Sequence, residues 1–285
     1  SVLPISHFIS RLSKFWFNSK FRLIIYHSSL QYENSPDNTL FKHLFYKLNR
    51  YLSKRYDEKH IFISEAVSKH ISKYLEVKNG YVIYNALPQK NVNTDLSYTD
   101  IKKYFNVKPK YLVVIPGRLH PTKGHIFFIE SLYDYIKKQK AENLGVMFLG
   151  GGPLENELKE QLVKYDNTKN IKITGIIKNE LLLSYLALSD LVVIPSISEG
   201  FGNVAIEALM QGSTILASNA GGLPEIINDK KNGFLFDSTN SNDLKQKFTS
   251  LYQNKINLSS ADLRSDFFNR FTLESQMEEL IKILK

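Results

Sequence analysis

Six short apolar runs, each separated from the next by a stretch long enough for a helix, fill the chain after residue 110. They are YLVVI (111–115), VMFL (146–149), IKIT (171–174), LVVIP (191–195), TILA (214–217) and GFLF (233–236). Such runs, apolar at nearly every position, suit strands buried on both faces. Helices fit between and after them at 125–139, 154–165, 179–188, 203–211 and 241–253. Strands that alternate with helices predict a parallel sheet with helices on both sides, an α/β architecture. A final helical stretch, about 260–285, has no strand after it.

The first part of the chain is less regular. Residues 5–17 place Ile5, Phe8, Ile9, Leu12 and Trp16 at helical spacing. FRLIIY (21–26), HIFIS (60–64) and YVIYNALP (81–88) read as strands, and 40–54 and 65–76 as helices, the former basic and amphipathic. A doubly wound domain usually has five or six strands, so three mark this portion as partial. QKNVNTDLSYTD (89–100) reads as a linker. The expected organisation is a partial N-terminal domain with linker over 1–100 and a second domain over 101–285, its last helix packing back on the first.

Composition narrows the chemistry. Hydrophobic residues make up 43% of the 285, enough for a real core, and cysteine is absent. Disulfides, thiolate metal sites and cysteine nucleophiles are therefore excluded. Residues 1–80 carry 13 Lys and Arg against 6 Asp and Glu, and the remainder 24 against 22. A basic first portion suits nucleic acid, an anionic membrane or an anionic substrate, while a solvated surface is the simpler reading. No nucleic-acid recognition motif accompanies the charge. No apolar run approaches the roughly 18 residues that span a bilayer. SVLPISHFISRLSKFWF at the start has neither the basic lead-in nor the small-residue cleavage site of a signal peptide, and without an initiator Met the chain reads as a fragment or a processed form.

SEGFGNVAIEALMQG (198–212) raises a specific chemical question. In a helix from Asn203, apolar residues take most of the circumference, and only Asn203, Glu207 and Gln211 share a polar stripe. A carboxylate on so apolar a helix is costly without partners; Glu207 either pairs with a nearby cation, reaches solvent or accepts from ligand hydroxyls. Gly200 and Gly202 let backbone approach a ligand closely, and the free N–H groups at the helix start suit a phosphate. The turn follows a strand, and ligands of open α/β sheets bind beyond strand carboxyl ends. Together these describe a site for a nucleoside diphosphate and its ribose, with Glu199 facing whatever lies beyond the phosphates. VVIPGRLHPTKGH (113–125) puts Arg118 and Lys123 after another strand, as a clamp for pyrophosphate. The glycine-rich turns FLGGGP and NAGGLPEII match neither GxGxxG nor the P-loop. No Asp-x-Asp and no HExxH is present, so no metal ligand set is visible.

These motifs, in this order, resemble those of the retaining glycosyltransferases of family 4, which have the GT-B fold of two Rossmann-like domains facing a cleft. PGRLHPTKG resembles their Gly-Arg…Lys-Gly loop, SEGFGNVAIEALMQG their E-x7-E motif, and NAGGLPEIINDKKNGFLF the block that follows. More loosely, RLIIYHSS resembles the strand that ends in a histidine, HIFISEAVSKHI the strand and helix after it, and VIYNALP the strand before the hinge. The family's opening strand and glycine-rich loop have no counterpart, so the N-terminal domain is expected to be truncated.

The resemblance implies roles. Arg118 and Lys123 bind the donor's phosphates, Glu199 the hydroxyls of the transferred sugar, and Glu207 the ribose. Gly117 and the backbone at Gly200, Phe201, Gly202 and Asn203 support sugar and phosphates. His27 lies near the reacting sugar; a structural strand-end histidine is its other reading. Backbone at Gly175–Ile177 is expected to flank the base. The implied activity is metal-independent hexosyl transfer without a cofactor, from a nucleotide sugar such as a UDP-sugar to a glycan or lipid-linked acceptor in surface polysaccharide synthesis. The implied place is the cytoplasm, peripheral at the inner face of an anionic membrane. A nucleotide-sugar epimerase of the same architecture and a non-catalytic binding fragment are the alternatives.

Overall fold

The computed structural model describes residues 3–17, 22–30, 40–89, 104–105, 109–139, 143–165 and 169–285. The side chains of Ile5 and Phe21, and the expected linker beyond Gln89, lie outside the described residues. The chain divides into two compact units, Ser1–Asn85 with Gln276–Lys285, and Ala86–Ser275.

In the first unit, α1 (Leu3–Phe17), β1 (Ile24–His27), α2 (Leu40–Tyr56), β2 (Lys59–Phe62), α3 (Glu65–Ile71) and β3 (Gly80–Val82) follow one another. The three strands form a parallel sheet in that order, with Ile25 opposite His60 and His27 opposite Phe62. Helix α3 starts where Ser64 Oγ accepts from Val67 N at 3.0 Å, which satisfies one orphan donor of the first turn. Its last turn stops at Ile71, short of the expected 76, where the chain passes into turns. The expected strand 81–88 shrinks to Gly80–Val82, although Ile83 N still donates to Phe62 O at 2.9 Å. Phe8 and Phe45, ring centroids 4.9 Å apart, join α1 to α2. The terminal ten residues are tied in by Gln276 Nε2 donating to Tyr84 O at 2.8 Å and by Lys59 Nζ donating to Ile283 O.

The second unit contains β4 (Tyr111–Pro116), α4 (His125–Lys137), β5 (Leu144–Leu149), α5 (Glu155–Lys164), β6 (Ile171–Ile173), α6 (Asn179–Leu188), β7 (Leu191–Ile194), α7 (Asn203–Gln211) and β8 (Ile215–Ser218). After these come α8 (Leu223–Ile226), β9 (Phe234–Phe236), α9 (Ser241–Asn254) and α10 (Ser260–Arg270); the last helix, α11 (Leu273–Leu284), belongs from Gln276 onward to the first unit. The six strands are all parallel, in the order β6-β5-β4-β7-β8-β9. Every residue of β4, β5, β7 and β8 is buried, as strands covered on both faces must be. Phe128, Phe148 and Phe248, all without exposure, pack edge to face between the sheet and α4 and α9. Each such ring contributes about 1.5–3 kcal/mol by leaving water.

The strand order fixes where a ligand can go. From β4 the chain winds outward through β5 and β6, then returns to place β7 on the other side of β4. The connections after β4 and β7 therefore leave the sheet in opposite directions and open a crevice at their carboxyl ends.

Candidate functional site

Three strand-end turns meet at this crevice. The first, residues 117–124, leaves β4 and carries Gly117, Arg118 and Lys123. It ends in a 3-10 turn, Pro121–Lys123, where Thr122 N donates to His120 Nδ1 at 3.4 Å. The second, residues 195–202, leaves β7 and carries Glu199. Ile197 N and Ser198 N both donate to Thr122 O, at 2.8 and 3.2 Å, and so bind the second turn to the first. Gly124 has φ +68, and a Cβ there would stand 1.8 Å from Pro195 O, so only glycine lets the two turns close on each other. The third turn follows β8. Gly222 N donates to Glu199 O at 3.1 Å, and Gly221, at φ +55, leaves space where a Cβ would lie 1.7 Å from that same oxygen.

Glu199 is thus held by its backbone from one side and by its carboxylate from the other. Its Oε2 accepts from Lys123 Nζ at 2.6 Å and from Ser196 Oγ at 3.1 Å. Ser196 is in turn fixed because its carbonyl accepts from Ser218 Oγ at 2.6 Å. The Lys123 and Glu199 side chains are 30% and 14% exposed, so the pair sits at the lip of the sheet with one side open. Arg118, on the same turn as Lys123, is exposed.

The second turn runs into α7. Gly202 is its N-cap residue and makes no side-chain cap bond; the positive end of the helix dipole lies at this turn. Asn203 is exposed and Glu207, one turn on, is half-buried. The expected polar stripe does not continue to Gln211, which is 4% exposed. Helix α10 covers that end, with Arg264 Nη2 donating to Gln211 O at 3.1 Å. Phe201 is also a core residue, 2% exposed and in edge contact with Phe271; only its backbone is left for a ligand.

Of the residues singled out in the sequence, Lys123 and Glu199 are in direct contact; Gly117 and Arg118 share the turn of Lys123, and Gly200, Phe201, Gly202, Asn203 and Glu207 continue from Glu199. His27 belongs to the first unit. It closes β1, and its ring is fully covered. Ser196 was not anticipated: it lies three residues before Glu199, with nothing in the spacing to mark it. Equally unmarked was the set of polar groups packed around His27, namely His7, Arg11, Asp57 and His60. Among the described residues, no three His, Asp or Glu gather as a metal-binding group.

A family model described as glycosyl transferases group 1 matches residues 98–267. The chain belongs to the group 1 glycosyl transferases. An uncharacterized glycosyltransferase of Methanocaldococcus jannaschii is 29% identical over 73% of this group 1 chain and 55% of its own length. A D-inositol 3-phosphate glycosyltransferase of Corynebacterium kroppenstedtii is 29% identical over 60% and 40% respectively. The chain thus spans about half the length of the curated relatives it matches. Among solved structures, Anabaena HepE in complex with UDP superposes with a TM-score of 0.81, covering 99% of this chain and 76% of that one at 20% identity. Sucrose-phosphate synthase of Thermosynechococcus elongatus gives 0.76, covering 99% of this chain and 72% of that one at 18% identity. The fold of this group 1 glycosyl transferase is α/β with parallel sheets, of the GT-B type, as the strand pattern and the motifs led one to expect.

Proposed function

We propose that the chain is a retaining, metal-independent glycosyltransferase that moves a hexosyl group from a nucleotide-diphosphate sugar to a glycan or lipid-linked acceptor in surface polysaccharide synthesis. The observation that carries this reading is the Lys123–Glu199 pair, locked by three turns at the switch point of a nucleotide-binding type of sheet. Family membership and HepE structures that hold UDP and UDP-glucose support it, and make a UDP-sugar the first donor to test.

In this reading Arg118 and Lys123 take the diphosphate, joined by the backbone N–H groups at Gly200–Asn203, and Gly117 allows close approach. Glu199 accepts from hydroxyls of the transferred sugar, Glu207 from the ribose diol, and Gly175–Ile177 flank the base. His27 is assigned to the reacting sugar. As the bond from the anomeric carbon to the phosphate oxygen breaks, its electron pair stays on that oxygen. The two cations stabilise the charge that develops there. The acceptor oxygen attacks the same face of the anomeric carbon, and its proton passes to the departing phosphate, so configuration is retained.

Calorimetry against UDP-, GDP- and ADP-sugars, followed by NMR of the product's anomeric proton, tests the proposal. Binding of one donor and a product of unchanged anomeric configuration are expected. Failure to bind any of the three, or conversion of donor alone to a rearranged sugar as an epimerase would give, sinks it. The first unit also exposes Phe15, Trp16 and Phe17 beside Lys14 at the end of α1. Aromatic and cationic residues side by side suit a peripheral contact with an anionic membrane.

A further inference from the structure

The first unit buries more charge and polarity than its small sheet would seem to need. Arg11 of α1 and Asp57, one residue beyond α2, form an ion pair with neither side chain exposed. Arg11 Nε donates to Asp57 Oδ1 at 2.9 Å and Nη2 to Oδ2 at 2.6 Å, while Nη1 donates to Asn49 Oδ1 at 2.5 Å. Ser53 Oγ adds a bond of 2.7 Å to Asp57 Oδ2. This carboxylate lies 3.4 Å from His60 Nε2. His60 Nδ1 in turn lies 3.1 Å from His27 Nε2. The register explains the meeting: His60 stands opposite Ile25, so it and His27 share one face of the sheet on adjacent strands. His27 also stacks on Phe62 at 4.8 Å.

The direction of this chain follows from what each group can do. An ionised carboxylate only accepts, so the proton of His60 sits on Nε2. Its Nδ1 is then a lone pair, which accepts from His27 Nε2–H. His27 Nδ1 is left as a lone pair, and it has no hydrogen-bond partner among the described residues.

We propose that His60, oriented by Asp57, is a positioning residue that holds His27 in its Nε2–H tautomer, so that Nδ1 serves as a neutral acceptor for a substrate hydroxyl. Burial disfavours the charged form of every ring of the group. It pushes His27 down to about 2 and His7 to about 4, and lowers His60, with the Arg11 cation acting in the same direction. His27 on this account is no proton shuttle. The His27 ring is covered, and the half-buried His7 stands edge-on to it at 5.2 Å; a hydroxyl reaches Nδ1 by displacing His7.

The proposal rests on the reading of His27 as part of a glycosyl-transfer site, and its test separates the two. In the wild-type chain labelled with 15N-histidine, His27 is expected to show an unprotonated Nδ1 and a protonated Nε2, unchanged from pH 5.5 to 8.5. The opposite tautomer, or an imidazolium, overturns the proposal whatever the activity. His60→Phe removes the acceptor for Nε2–H but keeps an aromatic ring. It is expected to mix the tautomers and lower kcat about tenfold or more with KM little changed. His60→Asn, whose amide oxygen takes the place of Nδ1, is expected to restore both. A His60→Phe variant with wild-type kcat, or His60→Asn no better than His60→Phe, overturns the positioning role. In His7→Ala, diethylpyrocarbonate is expected to reach His27 without changing its tautomer; continued protection overturns the access route. A correct tautomer in a chain that transfers no sugar from any donor overturns the glycosyl-transfer reading instead.

Discussion

Lys123 and Glu199 approach to 2.6 Å at a partly exposed sheet edge. A pair of this kind contributes little to folding, so its value lies in what it holds ready. On the proposed reading, a diphosphate beside Lys123 would compete with Glu199 for the ammonium and free carboxylate oxygens for sugar hydroxyls. Lys123→Ala and Arg118→Ala are each expected to lower kcat by about 10²–10³-fold, measured by nucleotide release under saturating donor; wild-type turnover in both variants removes the clamp. His125, at the start of α4, poses a different question. It is 1% exposed, and among the described residues neither ring nitrogen has a hydrogen-bond partner. Burial, aided by the Lys123 charge, pushes it down to about 4 from the ordinary 6.5. Below pH 6.5 the unfolded chain takes up a proton that the folded one refuses until about pH 4. Stability of the second unit therefore falls as pH drops through that window, by about 1.4 kcal/mol per pH unit. His125→Leu is expected to raise stability at pH 7 by about 1 kcal/mol and to flatten this acid limb in denaturant titrations. An unaltered pH slope would show that other groups set it.

The turns after β4, β7 and β8 form one interlocked piece, because each passes closer to its neighbour than a side chain allows. Gly221→Ala combines a left-handed φ with a Cβ only 1.7 Å from Glu199 O. It is expected to cost about 2–4 kcal/mol and to displace Glu199, so that donor affinity falls along with the melting temperature. A crystal structure of the variant with Glu199 unmoved would contradict this. The elements themselves were largely legible. YLVVI, LVVIP and TILA lie within a residue or so of β4, β7 and β8, because a strand buried on both faces admits only apolar residues and ends where glycine, proline or polar residues begin. Helix α8 was missed since four residues, Leu223–Ile226, are too few to show a helical period. Lys123 and Glu199 could be found as strand-end charges. Ser196, Asp57 and His60 could not, for their roles depend on which strands become neighbours, and residues 24 and 59 carry no mark of their pairing.

At the scale of the molecule, net positive charge and exposed aromatic surface are concentrated in the first unit, where Trp16 and Phe17 are 75% and 79% exposed. Among the described residues, no helix is long and apolar enough to cross a membrane. Sedimentation with vesicles is expected to show binding to anionic lipid that weakens in high salt; equal binding to neutral lipid, or none, discards the membrane contact. The first unit is also discontinuous, with Gln276–Lys285 beside Ser1–Asn85. Deleting residues 276–285 removes the carbonyl that takes Lys59 Nζ and the amide that reaches Tyr84 O. The expected result is faster proteolysis within residues 1–85 with the second unit's unfolding unchanged, and equal protection in both chains would refute it. The same discontinuity sets an order on the ribosome. Residues 86–275 must be translated before the first unit receives its last helix, a wait of about 10–40 s at ordinary elongation rates. Residues 1–85 are therefore completed as a unit only after the whole of the second unit has been made.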